Sequence, residues 1–233
     1  MKIEMNEFSF EESLKYLDEL VTQFKEDADV PETHSMNEEE LPLNQVVRMN
    51  CTAMSIRIIN RLLARDRLIK YVYHAALSQI VSVLQSAKGL KHLDLQADGG
   101  LLALFDTPMK KDVEDIINLA AQVRSVNEVV VSKFRLDAGR QVVAVGIDYG
   151  PITVFSTDGM LRNAMCEGKP IIASKQLANV RDDSVNITGD IYANLPEEMR
   201  NNLFANYASI EDERYFYSPL INIRMHKWVV EQG

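Results

Sequence analysis

Residues 92–105 read HLDLQADGGLLALF. Apolar and polar residues alternate over positions 93–98, which is the period-2 pattern of a half-buried strand. Asp98-Gly99-Gly100 then supplies turn chemistry, because glycine tolerates positive φ and aspartate bonds its own backbone. Residues 101–105 form a short apolar run that is typical of a second strand. The stretch predicts a β-hairpin with a carboxylate at its tip, where Asp98 either only makes the turn or also faces a bound cation.

The composition limits the class of protein. The chain has 233 residues and a net charge of −9, which argues against a general nucleic-acid binder, since such a protein needs a basic face. Its two cysteines, Cys51 and Cys166, show no disulfide framework or metal spacing, which favours a reducing compartment. The N-terminus lacks the apolar core of a signal peptide, and no apolar run is long enough for a membrane span. We therefore expect a cytoplasmic protein without nucleic-acid or membrane partners.

Two regions are expected along the chain. Residues 1–42 hold an amphipathic helix at 8–24 and an acidic linker at 25–42. Residues 43–233 form the main domain, with these predicted elements: a strand at 45–54, a long helix from Ser55 to Ala87, the hairpin, a helix from Asp112 to about Val126, a strand at 141–149 with a turn at Gly150-Pro151 and a returning strand at 152–155, a helix at 169–180, a strand at 185–187, a helix from Asn194 to about Ala205, and strand-like residues at 215–230.

This order predicts an α+β fold with a ferredoxin-like βαββαβ core and helices on one face of the sheet. In such a sheet the end of the first strand, at Asn50, lies beside the hairpin tip, at Asp98. The predicted helix would begin at Ser55, so its N-terminus would point at the same place. Two oxygen ligands beside a helix N-terminus suit a polyphosphate bound through Mg²⁺ or Mn²⁺.

Three segments together resemble the class III nucleotide cyclases. Residues 50–55, NCTAMS, resemble the family's D-I-x-G-F-T segment, and residues 97–100, ADGG, resemble its G-D-G hairpin. Residues 145–151, VGIDYGP, are similar to its V-G-I-x-x-G-P segment, which is the most specific of the three matches. The resemblance covers residues 45–195. Within the family, the chain is most similar to the pyrimidine cyclases of the Pycsar anti-phage defence system.

The resemblance implies a reaction, a cofactor and partners. The ribose 3′-oxygen of a nucleoside triphosphate attacks the α-phosphorus and pyrophosphate leaves, assisted by two Mn²⁺ or Mg²⁺ ions. It also implies a head-to-tail homodimer and a separate effector protein that responds to the cyclic nucleotide. Carried over by position, the site residues are Asn50, Cys51 and Asp98 at the metal ions, and Thr52, Ala53, Met54 and Ser55 at the phosphates.

Asn50 is one departure from the family pattern, which has a metal-binding aspartate there. An amide brings no charge, so metal binding should weaken. Three explanations are open: an introduced, inactivating Asp→Asn change, a natural cyclase with a weakened site, or a relative that only binds nucleotide. The otherwise intact motif favours the first. On this interpretation Asn50→Asp raises metal-dependent turnover by orders of magnitude, and equal activity of both forms with manganese would refute it.

Residues 168–177, GKPIIASKQL, depart from the family pattern G-D-x-V-N-x-A-x-R-L. Gapless alignment puts Ile172 at the Asn position and Gln176 at the catalytic Arg position. Lys175, one residue earlier, either replaces the charge of that arginine or is an ordinary surface lysine. We therefore take Lys175 and Gln176 as the candidate catalytic residues.

Base selection is expected from Asp94 and Lys169, which stand where purine cyclases carry a lysine and an aspartate. Asp94 would accept from the cytosine amino group and Lys169 would donate, which favours CTP, then UTP, with adenine still open. Neither residue need touch the base, and the strand pattern favours Asp94 as a solvent-facing residue. The alternative function is a non-catalytic nucleotide-binding or dimerisation module of the same fold.

Overall fold

The computed structural model describes residues 32–33, 46–60, 67–137, 141–155 and 164–232. The predicted N-terminal helix at 8–24 and most of the linker at 25–42 lie outside these residues and stay predictions. The elements are β1 (Glu32–Thr33), β2 (Val46–Asn60), α1 (Arg67–Gln85), β3 (Leu90–Leu95), β4 (Leu101–Phe105), α2 (Lys110–Lys133), β5 (Gln141–Phe155), β6 (Met165–Glu167), α3 (Lys169–Val180), β7 (Val185–Thr188), α4 (Gly189–Asn194), α5 (Glu197–Leu203), β8 (Asn206–Ile210), β9 (Glu213–Ser218) and α6 (Ile223–Gln232).

The described strands form one sheet in the order β3-β4-β2-β5-β7-β9-β8, with β1 paired to β2 and β6 paired to β5. Within it β3, β4, β2 and β5 are antiparallel neighbours. With α1 between β2 and β3, and α2 between β4 and β5, they make a βαββαβ core. The predicted α+β, ferredoxin-like fold is confirmed, and so is the hairpin made by β3 and β4.

Helices α1 and α2 cover one face of this sheet. Met54 and Ile56 of β2 point to that face and are at most 2% exposed. They belong to a cluster that includes Ile80 and Leu84 of α1 and Ile117 of α2. Burial of each large apolar side chain favours folding by about 1.5–3 kcal/mol. None of the helices in the described ranges is long and apolar enough to cross a membrane.

Helix α3 packs on the opposite face, so the prediction of helices on one face only is wrong. The Ser174 hydroxyl of α3 lies 2.9 Å from the Ser55 hydroxyl of β2. A Cβ built on Gly146 of β5 would lie 2.0 Å from the Ser174 carbonyl oxygen and 2.6 Å from the Ala178 nitrogen. Only a residue without a side chain lets helix and strand approach this closely.

The predicted boundary between strand and helix at Ser55 is also wrong. Strand β2 continues to Asn60 because its residues pair with β5 along the whole strand, and residues 52–56 also pair with β4. Ser55 is only 7% exposed, in the middle of the sheet. Helix α1 begins at Arg67, so the predicted helix N-terminus beside Ser55 does not form. Arg57, which falls within the predicted helix, is a residue of β2.

The second half of the chain differs from prediction at several boundaries. Strand β5 runs straight through Gly150-Pro151 instead of turning there, with Pro151 paired opposite Asn50. Proline is tolerated at a strand position that donates no ladder hydrogen bond. Helix α2 extends to Lys133, the helix predicted at 194–205 divides into α4 and α5, and the strand-like residues at 215–230 become β9 and then α6.

Gly146→Ala tests the close packing of α3. We expect the free energy of unfolding to fall by about 3 kcal/mol or more. The new methyl group would clash with backbone atoms of α3, and these can move only if the whole helix shifts. Chemical denaturation measures this change. Gly189→Ala is the matched control, since its nearest neighbouring atom would be 3.9 Å away, and it should change stability by less than about 0.5 kcal/mol. Equal denaturation midpoints for the two variants would contradict the packing described.

Candidate functional site

Asp98 does make the turn of the hairpin. Its Oδ1 accepts a hydrogen bond from the Gly100 amide at 3.0 Å. Gly99 has φ +82°, a left-handed conformation that favours glycine. The Gln96 amide donates to the Gly100 carbonyl at 2.8 Å and closes the loop. The turn alone therefore accounts for the sequence Asp98-Gly99-Gly100.

Lys175 of α3 reaches the same carboxylate from the second face of the sheet. Its Nζ lies 3.4 Å from Asp98 Oδ2, and the two side chains are 50% and 57% exposed. An ion pair this exposed is weak and can exchange partners. The Gly100 amide, more than Lys175, holds the pKa of the Asp98 carboxyl below its ordinary value. Asp98 is therefore ionised at neutral pH.

Arg57 of β2 is the third charged side chain at the tip. It lines a small cleft of about 30 Å³ together with Asp98 and Lys175. Its Nε donates to the Ala178 carbonyl at 3.0 Å, and its Nη2 lies 2.7 Å from Asp182 Oδ1. With two carboxylates and two cations, these four side chains carry no net charge.

Tyr73 of α1 packs against the tip from the first face of the sheet. Its hydroxyl donates to the Gly99 carbonyl at 2.7 Å. Burial, and then the charge of Asp98, raises the pKa of the Tyr73 phenol above its ordinary value. The tip is therefore held between α1 and α3.

The prediction that Asn50 and Asp98 share a cation is wrong. Asn50 pairs with Pro151 at one end of β2, whereas Ile56 pairs with Leu101, and Asp98 lies beyond that pair. Ile56 lies six positions after Asn50 along the strand, a distance of about 20 Å. Nothing in the register can bring the two groups together.

Cys51, the other predicted metal residue on β2, is fully buried. Burial raises the pKa of its thiol well above the ordinary value, so the side chain is a neutral thiol packed inside the sheet. Over the described part of the chain, no three His, Cys, Asp or Glu side chains come together as a metal site.

The predicted phosphate residues do not form a loop. Thr52, Ala53 and Met54 are fully buried, and Ser55 is nearly so. Their backbones pair with β4 on one side and β5 on the other. The Thr52 hydroxyl pairs with that of Thr107 at 2.6 Å. Because these groups are already satisfied inside the sheet, the predicted phosphate loop at 52–55 is wrong.

Gln176 faces away from the tip, although it follows Lys175 in sequence. It lines a separate cavity of about 560 Å³ between α3 and the β8–β9 hairpin. Successive residues of a helix point about 100° apart, which explains the divergence. The structure therefore brings only Lys175 of the predicted catalytic pair to Asp98, and the roles of both residues stay predictions.

The two predicted base-binding residues are not neighbours. Lys169 lines the same 560 Å³ cavity, and its Nζ lies 3.3 Å from Glu213 Oε1. Asp94 instead accepts from the Gln96 side chain at 2.7 Å, on the solvent side of β3. No contact described within this chain joins them, so their role in base selection remains a prediction.

Sequence reasoning missed three groups of the site. Arg57 falls within the helix predicted from Ser55 to Ala87, and a correct strand boundary would have placed it at the tip. Asp182 follows α3 in an unpatterned turn, and Tyr73 has only helical spacing, so neither gave a signal. Away from the tip, Asp148 of β5 was also missed: it is 3% exposed, it accepts a hydrogen bond from the Thr188 hydroxyl, and burial raises the pKa of its carboxyl.

Comparison with known proteins identifies the fold. No protein-family model and no curated protein matches this chain. Among solved structures, a class III adenylyl cyclase-like ATP-binding protein from Pseudomonas aeruginosa matches 94% of the chain with TM-score 0.62 and 16% identity. This chain spans about half the length of that protein, at 49%.

Two shorter structures match over most of their own length. An adenylyl cyclase from P. aeruginosa matches 75% of this chain and 95% of its own, with TM-score 0.59 and 14% identity. A guanylyl cyclase matches 76% of this chain and 94% of its own, with TM-score 0.56 and 13% identity. This chain therefore has the fold of the class III nucleotide cyclases.

Asp98→Asn tests the geometry of the tip through Tyr73. Removing the neighbouring negative charge should lower the pKa of the phenol partway to its ordinary value, because burial keeps the rest of the shift. NMR titration of labelled tyrosine, assigned with Tyr73→Phe, measures this. Asp115→Asn, an exposed carboxylate on α2, should leave the value unchanged. An unaltered Tyr73 titration in Asp98→Asn would contradict the contact.

Proposed function

We propose that this chain binds a nucleoside triphosphate at the hairpin tip. The observation that carries the proposal is the meeting of Asp98 and Lys175, 3.4 Å apart, at the tip of a sheet with the class III cyclase fold. Arg57 lies in the same cleft. Lysine and arginine side chains are the groups that bind phosphates most strongly. The ATP binding stated for the first matching structure agrees with this proposal.

Binding without turnover is the outcome that the site geometry favours. A two-ion reaction needs several oxygen ligands around the attacking and leaving oxygens. At the tip, β2 offers the Arg57 guanidinium where a second carboxylate would be needed. The carboxylates described at the tip are those of Asp98, which is paired with Lys175, and Asp182, which is paired with Arg57. We therefore place the non-catalytic nucleotide-binding domain first.

Cyclase activity is the second candidate, favoured by the adenylyl and guanylyl cyclases among the matching structures. In that case the 3′-oxygen bonds to the α-phosphorus, the bond to pyrophosphate breaks, and the 3′-hydroxyl proton passes to solvent. Lys175 would neutralise charge that develops on the phosphates. CTP, then UTP, as substrate, a head-to-tail homodimer and an effector protein in anti-phage defence belong to this candidate and rest on the sequence resemblance.

Calorimetric titration with ATP, GTP, CTP and UTP, followed by incubation with Mn²⁺ and chromatography of the products, tests both candidates. We expect at least one nucleotide to bind and no cyclic product to form. Lys175→Met should weaken binding about tenfold, because a charge-assisted contact is lost. Lys111→Met, an exposed lysine on α2, is the matched control.

The outcomes are distinct. A cyclic product from the wild type would select the cyclase candidate over the non-catalytic one. If none of the four nucleotides binds, or if Lys111→Met weakens binding as much as Lys175→Met, nucleotide binding at the hairpin tip is refuted.

A further inference from the structure

We infer that the hairpin tip binds its polyphosphate directly on Arg57 and Lys175, without a divalent cation. This inference rests on the proposed nucleotide binding and concerns how the same site works. It replaces the two Mn²⁺ or Mg²⁺ ions expected from the sequence resemblance with two side-chain cations.

The residues at the tip do not fit a pair of divalent ions. Such ions need several negatively charged oxygen ligands in close array. Here the carboxylate of Asp98 is opposed by Lys175, and the carboxylate of Asp182 by Arg57. A dication placed against Asp98 would have to displace an ammonium group 3.4 Å away and would still lie in the cleft that Arg57 lines. Asn50 is too far along β2 to contribute.

Arg57 is suited to bind phosphate because it is held in place from both sides. Its Nε donates to the Ala178 carbonyl, and its Nη2 is paired with Asp182. The guanidinium is only partly exposed, with 34% of the side chain accessible. A planar guanidinium that is already oriented loses little conformational entropy when it binds an anion.

Lys175 supplies the mobile charge. Half of its side chain is exposed, and its only described ionic partner is the equally exposed Asp98. The weak ion pair lets the ammonium group move from the carboxylate to a phosphate oxygen. Asp98 then competes with the phosphate for Lys175 and does not act as a metal ligand.

Because of this role, the direction in which Asp98→Asn changes the binding affinity distinguishes direct binding from metal-mediated binding. The amide oxygen of asparagine can still accept from the Gly100 amide, so the turn is kept. The competing charge is lost, and Lys175 becomes available. Direct binding predicts tighter binding in this variant, whereas a metal-mediated site predicts weaker binding, because its carboxylate ligand would be gone.

The experiment measures the dissociation constant of the best-binding nucleoside triphosphate, first in EDTA and then in excess Mg²⁺. In EDTA we expect the wild type to bind, and Asp98→Asn to bind about 2- to 5-fold more tightly, the range released by breaking an exposed ion pair. Mg²⁺ should weaken binding, because it neutralises the phosphates in solution. Asp115→Asn is the charge-matched control and should behave like the wild type.

Four results would separate the possibilities. Loss of wild-type binding in EDTA, or weaker binding by Asp98→Asn in Mg²⁺ with an unchanged melting temperature, would overturn direct binding while leaving nucleotide binding intact. Equal tightening in Asp115→Asn would show a general charge effect and would also overturn the inference. Absence of binding in both EDTA and Mg²⁺ would refute the proposed function itself.

Discussion

The close approach of α3 to β5 is the constraint on which the candidate site depends. Gly146 leaves no room for a side chain between the strand and the helix backbone, with a built Cβ 2.0 Å from the Ser174 carbonyl oxygen. At this distance the Ser174 hydroxyl is within hydrogen-bond distance of the Ser55 hydroxyl. The next residue, Lys175, contacts Asp98 at the hairpin tip. The charge at the tip is therefore set by the docking of a helix on the second face of the sheet.

The register of β2 is the other determinant of the site. This strand pairs with β5 along all 15 of its residues, so no part of it can shift independently. A shift of one residue would exchange the two faces of the strand and bury Arg57 under α1 and α2. The pairing fixes Arg57 at the tip and Asn50 at the opposite end. Consequently the ladder, and not the local similarity of residues 50–55 to a metal-binding segment, decides which side chains can meet Asp98.

The parts of the fold that the sequence predicts are those determined locally. The hairpin follows from Asp98-Gly99-Gly100 and its alternating flanks. The helix predicted at 169–180 matches α3. The end of β2 could not be predicted, because Ile56 and Ile59 fit a helical stripe as well as a strand whose faces are both covered. Asp98 and Lys175 were found as candidates, but their contact, and that of Arg57, depends on helix docking and strand register.

The presence of Asp98 at the tip is not, by itself, an argument for a metal ion. Its carboxylate already stabilises the turn, since it accepts a hydrogen bond from the Gly100 amide. A cation site would need a second acidic group facing it, and β2 presents Arg57 there instead. The fold is shared with cyclases, and the proposal of direct phosphate binding depends on the charge of one strand residue, Arg57. Both basic groups at the tip are paired with carboxylates, so the four side chains are electrically balanced. In the proposed binding mode, a polyphosphate would therefore have to exchange one of these ion pairs for another.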